Sequence, residues 1–437
     1  MKLSNIVGII ADDLTGANDT ALQFKKCVAE TKILLNPTAP PENDNNTEVW
    51  AISTESRNVA PEIAKQKIKS ALKTLNTNLN LEHFYKKIDS TIRGNIAVET
   101  LTMVEELGYD LAIIIPAFPT EGRITVGGYH LSKCVPIGRT EMARDPHSPI
   151  TESHVPTLFK TQLGKEKADL VATLDLKTIM NGAGPILVKI NELVKQGKKL
   201  IVADAVSLVD IEQIVLAINK SSYKILPAGT ASTGRALAKQ WLEEPDSSLE
   251  CEKVVIPKLP KLIVSGSATQ INSTQIEHLE QSYDYDNLVF LSLTPKNIID
   301  GVTDDVINHI VDNLMRENTV IVHSSKLLEN FDGFSDDSLK EELTRPKFAI
   351  KITDYLAELT KRVQEKINII LILLGGETSF KCCNSISATE LTMLDEVAPA
   401  IALCHDEHNQ LIITKSGNLG TPKTLIDILH YIEKHEV

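Results

Sequence analysis

Short apolar, β-branched runs alternate with longer amphipathic stretches along most of the chain, and this alternation limits the fold more than any other feature of the sequence. Ile6 to Ala11, Val49 to Ser53, Leu111 to Pro116, Leu200 to Ala203 and Tyr223 to Leu226 are read as strands, with helices in the intervals. Runs with so few polar interruptions suit parallel strands, which helices cover on both faces. The segment Arg123 to Pro136 departs from the pattern, because Gly127, Gly128, Tyr129 and His130 predict a β-hairpin excursion that carries site residues. Past Leu242 the composition turns polar and Pro-punctuated, through Glu243, Glu244, Pro245, Asp246, Ser247 and Ser248 to Pro257 and Pro260. The alternation then restarts, with strands predicted at Lys261 to Val264, Leu288 to Leu293, Thr319 to His323, Ile369 to Leu374 and Leu411 to Thr414. The expected architecture is two α/β domains with mostly parallel sheets and an active-site cleft between them. Their spans are residues 1–242 and 261–437, joined by a linker over 243–260. A chain of 437 residues suits this division, being too long for one ordinary core. No fixed-period repeat is seen, and Pro37 to Asn46 reads as an exposed loop.

Hydrophobic residues make up 42% and charged residues 24%, which places the chain among globular proteins. The formal charge of −13 would repel a phosphate backbone, so neither nucleic acid nor an anionic membrane is expected as a partner. Six cysteines with no CxxC pair and no His-rich cluster indicate neither a disulfide framework nor a structural zinc site, which fits a reducing cytoplasm. The start, MKLSNIVGIIADDL, meets acid too soon to read as a secretory signal, and no window holds 18 uncharged apolar residues.

Ligands of open α/β sheets bind beyond the carboxyl ends of the strands, and four such regions stand out. The first is Ala11-Asp12-Asp13-Leu14-Thr15-Gly16-Ala17-Asn18-Asp19, running into a helix expected to begin near Asn18. Paired carboxylates there need polyol hydroxyls, a metal or a capping role to offset their burial. For a single such residue plain capping is the commoner reading; the pair followed by Thr-Gly-Ala-Asn shifts the balance toward a ligand. The second is Lys86 to Asn95, KKIDSTIRGN, at a strand-to-helix turn. Here Lys87 and Arg93 suit a carboxylate or a phosphate, Asp89 a hydroxyl proton, and Ser90 or Thr91 a second oxygen. The bland alternative is a capped helix with a surface ion pair. The third runs from Pro116-Ala117-Phe118-Pro119 through Gly122-Arg123-Ile124-Thr125 to Arg139-Thr140-Glu141-Met142-Ala143-Arg144-Asp145-Pro146. Taken alone, Arg139 and Arg144 would be solvated charges; beside the other motifs they are expected to help shape an anion pocket. The fourth comprises three glycine turns, Ser265-Gly266-Ser267, Gly375-Gly376-Glu377-Thr378 and Ser416-Gly417-Asn418-Leu419-Gly420-Thr421. Each is weak alone, but three converging turns with exposed N–H groups would make a nucleotide cradle.

No GxxxxGK[ST] occurs, and Gly229 to Ala236 lacks the lysine and magnesium-binding hydroxyl of a P-loop; the protein-kinase HRD and DFG signatures are absent too. The motifs ADDLTGANDTA, KKIDSTIRGN, PAFPTEGRITVGGYHL, RTEMARDPHSP, LLGGETS and KSGNLG together resemble the four-carbon acid sugar kinase family over most of the chain. The RTE and ARDP segment is most similar to the D-threonate kinase branch.

This resemblance implies an N-terminal domain for the acid, a C-terminal domain for ATP with Mg²⁺, and transfer to the 4-hydroxyl of a tetronate such as D-threonate. It also implies substrate contacts from Asp12, Arg57, Lys87, Asp89 and Ser90, and ATP contacts from Ser265 or Ser267, Gly375, Gly376 and Gly417. With the motif readings, the substrate set is Asp12, Asp13, Arg57, Lys87, Asp89, Ser90, Thr91 and Arg93. The nucleotide set is Ser265, Ser267, Gly375, Gly376, Glu377, Thr378, Gly417 and Gly420. Arg57 or Lys87 is expected to grip the carboxylate, and Asp12 or Asp89 to act as catalytic base. Edge strands of either sheet could pair in a homodimer. D-erythronate is the competing acceptor. Two other classes are weaker. A haloacid-dehalogenase phosphatase needs its two acids one residue apart, whereas Asp12 and Asp13 are adjacent and expected to diverge. A non-catalytic sugar-acid sensor would leave the glycine turns unexplained.

Overall fold

The structure is a computed structural model that describes residues 7–27, 30–37, 41, 46–145, 148–242, 254–282, 287–325, 327 and 344–437. Most of the expected linker, 243–253, and parts of the Pro37 to Asn46 patch lie outside these residues. The chain divides into two compact units, Met1–Leu249 and Glu250–Val437, and both are mixed α/β.

The first unit holds a parallel sheet of β1 (Val7–Ala11), β2 (Thr31–Leu34), β3 (Val49–Ser53), β4 (His83–Lys87), β5 (Leu111–Ile115), β9 (Val171–Leu174), β10 (Leu200–Ala203) and β11 (Ile225–Gly229). Their order is β2-β3-β1-β4-β11-β5-β10-β9. Three short strands, β6 (Arg123–Val126), β7 (Tyr129–Ser132) and β8 (Val135–Pro136), form a separate antiparallel sheet. The inner strands are buried throughout, VGIIA in β1 and LAIII in β5, because helices cover both faces. Ile10, Trp50, Ile52, Ile114 and Val202 from the sheet pack with Ile68, Leu75, Leu101 and Phe159 from the helices.

Register sets the site. Ala11 aligns with Ser53 on one side and with Lys87 on the other, so β3, β1 and β4 release their following loops at one level. The first helix spans Leu14–Lys25 and is capped by Asp13, whose Oδ1 accepts from Gly16 N at 2.9 Å. It thus starts four residues before the expected position near Asn18, because the second carboxylate is itself the cap. The strand expected over Tyr223 to Leu226 runs instead through Pro227. Its pairing with β4 is confined to Ala228 and Gly229, so the proline removes no donor from that ladder.

In the second unit the strands are β12 (Lys261–Ser265), β13 (Leu288–Ser292), β14 (Thr319–His323), β15 (Ile370–Leu374), β16 (Glu390–Ala398), β17 (Ile401–Asp406) and β18 (Leu411–Lys415). Their order is β13-β14-β12-β15-β18-β17-β16, parallel as far as β18 and antiparallel over the last three. Ile263, Ile372, Leu374 and Ile413 meet Ile276, Leu279, Leu425 and Ile428 in its core.

Candidate active site

Adjacent parallel strands that end together concentrate whatever polar groups follow them. Beyond β1, β3 and β4 these are Asp12 and Asp13, Arg57, and Lys87 to Arg93. The two aspartates do not diverge: they converge on one guanidinium. Arg57 donates Nε to Asp12 Oδ2 at 2.7 Å, Nη2 to Asp12 Oδ1 at 3.0 Å and Nη1 to Asp13 Oδ2 at 2.8 Å. Asp89 Oδ1 stands 3.8 Å from the same group. The Arg57 that sequence reading left free to grip a carboxylate is therefore already held by two of them. Asn95 Nδ2 ties the turn after β4 to the loop after β3, donating to Ser56 O and Val59 O, each at 2.9 Å.

Asp89 is more heavily solvated by donors. Its Oδ2 accepts from Thr91 Oγ1 and from Arg93 Nε at 2.8 Å, and its Oδ1 accepts from Arg93 Nη2 at 3.3 Å. Burial alone would raise its pKa, but Arg93 and Arg57 outweigh burial and hold the carboxyl well below the usual range. For Asp13 burial likewise pushes up, and Arg57 and Lys87 bring the net shift down. Lys87 packs over Gly16, where an added Cβ would lie 2.9 Å from its Nζ, so glycine here lets the amine approach the helix start.

Lys86 belongs to the scaffold instead, buried in an ion pair with Glu99 at 2.8 Å. Glu55 has its Oε1 on Leu14 N at 2.9 Å and on Ser53 Oγ at 2.6 Å. Burial and the charge of Asp13 push its pKa up to about 8.

The third sequence region contributes differently from expectation. Arg139 and Arg144 are exposed, while Asp145 from the same segment accepts from Arg93 Nη1 at 2.9 Å. Arg123, to which sequence reading gave no role, is 7% exposed and donates Nη1 to Ser90 Oγ at 2.6 Å. His130 donates Nε2–H to Ser90 O at 2.9 Å, and its Nδ1 takes the Thr125 hydroxyl at 3.0 Å. Ser90 is thus fixed from β6 and β7 at once. The β6–β7 turn is pinned by Asp204, which accepts from Gly127 N and Gly128 N, each at 2.8 Å.

In the second unit, the residues after β12, β15 and β18 come together as the glycine turns predict. An added Cβ on Gly417 would lie 2.0 Å from Ser267 Oγ, so only glycine fits that approach. Ser267 also lies beside Gly375, and Thr378 Oγ1 lies beside Gly266. Gly375 precedes the helix Gly376–Ser385, whose N-terminal N–H groups face this convergence of turns. Gln275 Nε2 holds the last loop around Gly420 through Leu419 O at 3.0 Å and Thr421 O at 2.9 Å. Two residues serve otherwise: Ser265 is fully buried and takes Asn272 Nδ2 at 2.7 Å, and Glu377 turns toward Lys381 at 3.7 Å. Lys415, also unassigned from sequence, is buried at the end of β18 with its Nζ on Ser416 O at 2.8 Å. Burial pushes its pKa down to about 7.

Comparison with known proteins follows this division. Residues 7–237 match the family described as the sugar-binding N-terminal domain, and residues 262–425 match the nucleotide-binding C-terminal domain. The chain belongs to the four-carbon acid sugar kinase family. It is 30% identical to the D-erythronate kinase of Heliobacterium modesticaldum, over 98% of this chain and 97% of that one. It is 28% identical to the D-threonate kinase of Salmonella typhimurium, over 98% of each. A 3-oxo-tetronate kinase of Brucella melitensis is 25% identical over 95% of this chain and 93% of its own. A crystal structure of a Salmonella typhimurium LT2 protein shares the fold with a TM-score of 0.75 at 20% identity, covering 96% of this chain and 98% of that one. The family places the chain among ATP-dependent sugar-acid kinases. No described helix is long and apolar enough to cross a membrane.

Proposed function

We propose that this protein transfers the γ-phosphoryl group of ATP to the 4-hydroxyl of a four-carbon sugar acid, with D-threonate as the leading acceptor and D-erythronate as its competitor. The observation that carries this reading is the pairing of a polyol-type cluster, Asp12, Asp13, Lys87, Asp89 and Ser90, with the glycine cradle of Ser267, Gly375, Gly376, Thr378 and Gly417. The first lies within the sugar-binding match and the second within the nucleotide-binding match. D-threonate leads through the RTE and ARDP segment alone; relatives named for either acid are about equally similar to the chain.

Phosphoryl transfer asks mainly for positioning and charge compensation. Each oxygen of Asp12 takes one hydrogen bond from Arg57, which leaves lone pairs for a substrate hydroxyl. Asp89 is more fully engaged and has a strongly lowered pKa, so we assign it to organising Arg93, Thr91 and the Ser90 turn, and we assign Asp12 to orienting the attacking hydroxyl and taking its proton. Arg57 holds Asp12 and Asp13 in place and, with Lys87, lowers the pKa of Asp13 against the effect of burial. Lys87, beside Asp13, spends one N–H on Ile88 O at 2.9 Å and keeps others to favour charge that develops on the transferring group.

Magnesium would accompany the nucleotide. Asp12, Asp13 and Asp89 are bound by arginines, and among the described residues no cluster of three or more His, Cys, Asp or Glu is arranged to hold a metal. The described residues therefore do not form a magnesium cage of their own. A cytoplasmic location suits the described cysteines, all of which are free thiols.

Asp12→Asn should lower kcat by about 100-fold or more with little change in the KM for ATP. Asp89→Asn should act chiefly on the KM for the acid and on stability. A near-normal kcat in Asp12→Asn would remove Asp12 from the base role.

A further inference from the structure

Five buried or nearly buried cations surround the first-unit cluster: three have ion-pair partners, and a fourth, Lys87, has Ile88 O at 2.9 Å and the charge of Asp13. Lys86 pairs with Glu99, Arg57 with Asp12 and Asp13, and Arg93 with Asp89 and Asp145. Arg123 is different. Its Nη1 meets only the neutral hydroxyl of Ser90, its Nε is buried with no hydrogen-bond partner, and no carboxylate lies within ion-pair distance among the described residues. A guanidinium cannot shed its proton to relieve this, and Asp89, Glu121 and Asp19 act on it only from beyond ion-pair distance, so its burial is poorly offset.

Its placement is built rather than incidental. Phe118, just beyond β5, exchanges backbone hydrogen bonds with Arg123, at 2.8 and 3.1 Å, and Asp204 beyond β10 holds the turn of the same hairpin. Two strand ends thus deliver the side chain to Ser90, one residue from Asp89, and Ser90 is itself partly open to solvent.

We propose that Arg123 receives the carboxylate of the acid substrate, an inference that rests on the sugar-acid kinase reading above. A substrate carboxylate would supply a counter-charge in direct contact, and the planar guanidinium offers it paired N–H donors, including the Nε–H that has no hydrogen-bond partner. Arg57 is poorly suited to this task, since a further anion beside Asp12 and Asp13 would meet two carboxylates already in contact with the same group. Arg123 would accordingly set the preference for an acid over a neutral four-carbon polyol, whereas Asp12 would act on the far hydroxyl.

Steady-state kinetics of the full-length wild type, Arg123→Gln and Arg123→Lys with a tetronate, with the corresponding tetritol and with ATP test the assignment. Arg123→Gln should raise the KM for the tetronate by about 100-fold, leave the KM for ATP within about twofold, and lower kcat/KM for the tetritol by no more than about tenfold, the part that follows from loosening Ser90. Arg123→Lys should fall between. An unchanged tetronate KM, an equal loss on acid and tetritol, or a loss confined to kcat would overturn the proposal, the last by placing Arg123 on the transferring phosphoryl group instead.

Calorimetric titration of the tetronate into the same proteins separates this inference from the one it rests on. If the wild type binds the acid without turning ATP over, the kinase reading fails, and loss of binding in Arg123→Gln still supports the clamp. No binding by the wild type overturns both. Should Arg123→Gln not fold, binding by Arg123→Lys decides: full wild-type affinity sinks the clamp, and weakened affinity supports it.

Discussion

A buried histidine that carries its proton on one known nitrogen responds predictably to acid. His130 is fully buried; burial pushes its pKa down to about 4, with the Ser90 carbonyl acting weakly in the opposite sense. In the unfolded chain the ring would titrate near its ordinary value of about 6.5. Because the folded value is the lower one, the unfolded state takes up the proton first as pH falls, and stability is lost from about pH 6.5 down to about pH 4. At roughly 1.4 kcal/mol per unit, the loss reaches about 3 kcal/mol. His130→Gln, which keeps a donor for Ser90 O and cannot titrate, should lose correspondingly less stability between pH 7 and pH 4 in denaturant titrations. Parallel pH profiles for the two proteins would contradict the assignment. Glu55 should behave in the opposite sense. Its raised pKa means that the folded state holds the proton longer than the unfolded chain does, so stability falls as pH rises from about 4.5 to about 8. Glu55→Gln should remove that fall.

Among the elements, the ends of β12, β15 and β18 carry the glycine turns. Gly417→Ala forces a methyl onto Ser267 Oγ and should weaken ATP binding by at least about tenfold while leaving acid binding in the first unit unchanged; calorimetry with each ligand reads both. An unaltered ATP affinity would separate that turn from the nucleotide site. The glycine turns were legible in the sequence because each follows a continuous apolar run such as Ile370–Leu374, so both the strand and its end are marked.

Other elements were hidden for identifiable reasons. Strand β4, expected only as whatever strand leads into the KKIDSTIRGN turn, reads HFYKK, and two lysines in an inner strand are tolerable because Lys86 has Glu99 and Lys87 has Ile88 O and the charge of Asp13, a set of partners not visible in one dimension. β16, ELTMLDEVA, interleaves acids with apolar residues and bulges twice against β17, which blurs its period of two. Arg123 was missed because its distinguishing property, a buried Nε without a hydrogen-bond partner and no carboxylate within ion-pair distance among the described residues, is a three-dimensional fact. The convergence of Asp12 and Asp13 on Arg57 likewise depends on the alignment of β1 with β3, which no spacing between Asp12 and Arg57 expresses.

For the whole molecule, the α/β class and the kinase family were readable from the alternation and from six motifs in order, and the family comparison supports both. Acceptor stereochemistry was not readable, since D-threonate and D-erythronate differ at a single carbon and the difference is held in a few hydrogen bonds. Relatives named for the two acids, at 28% and 30% identity, do not choose between them. The net charge of −13 bears on the site as well, because a protein that repels anions overall needs local groups to hold anionic substrates, the role proposed above for the glycine N–H donors, Lys87 and Arg123. The most direct test is ADP formation by the purified protein with Mg·ATP across D-threonate, D-erythronate, L-threonate and an acid-free control. Strong stimulation by one four-carbon acid is expected, with D-threonate first. ADP formation that no tetronate stimulates above the control would contradict the sugar-acid kinase reading.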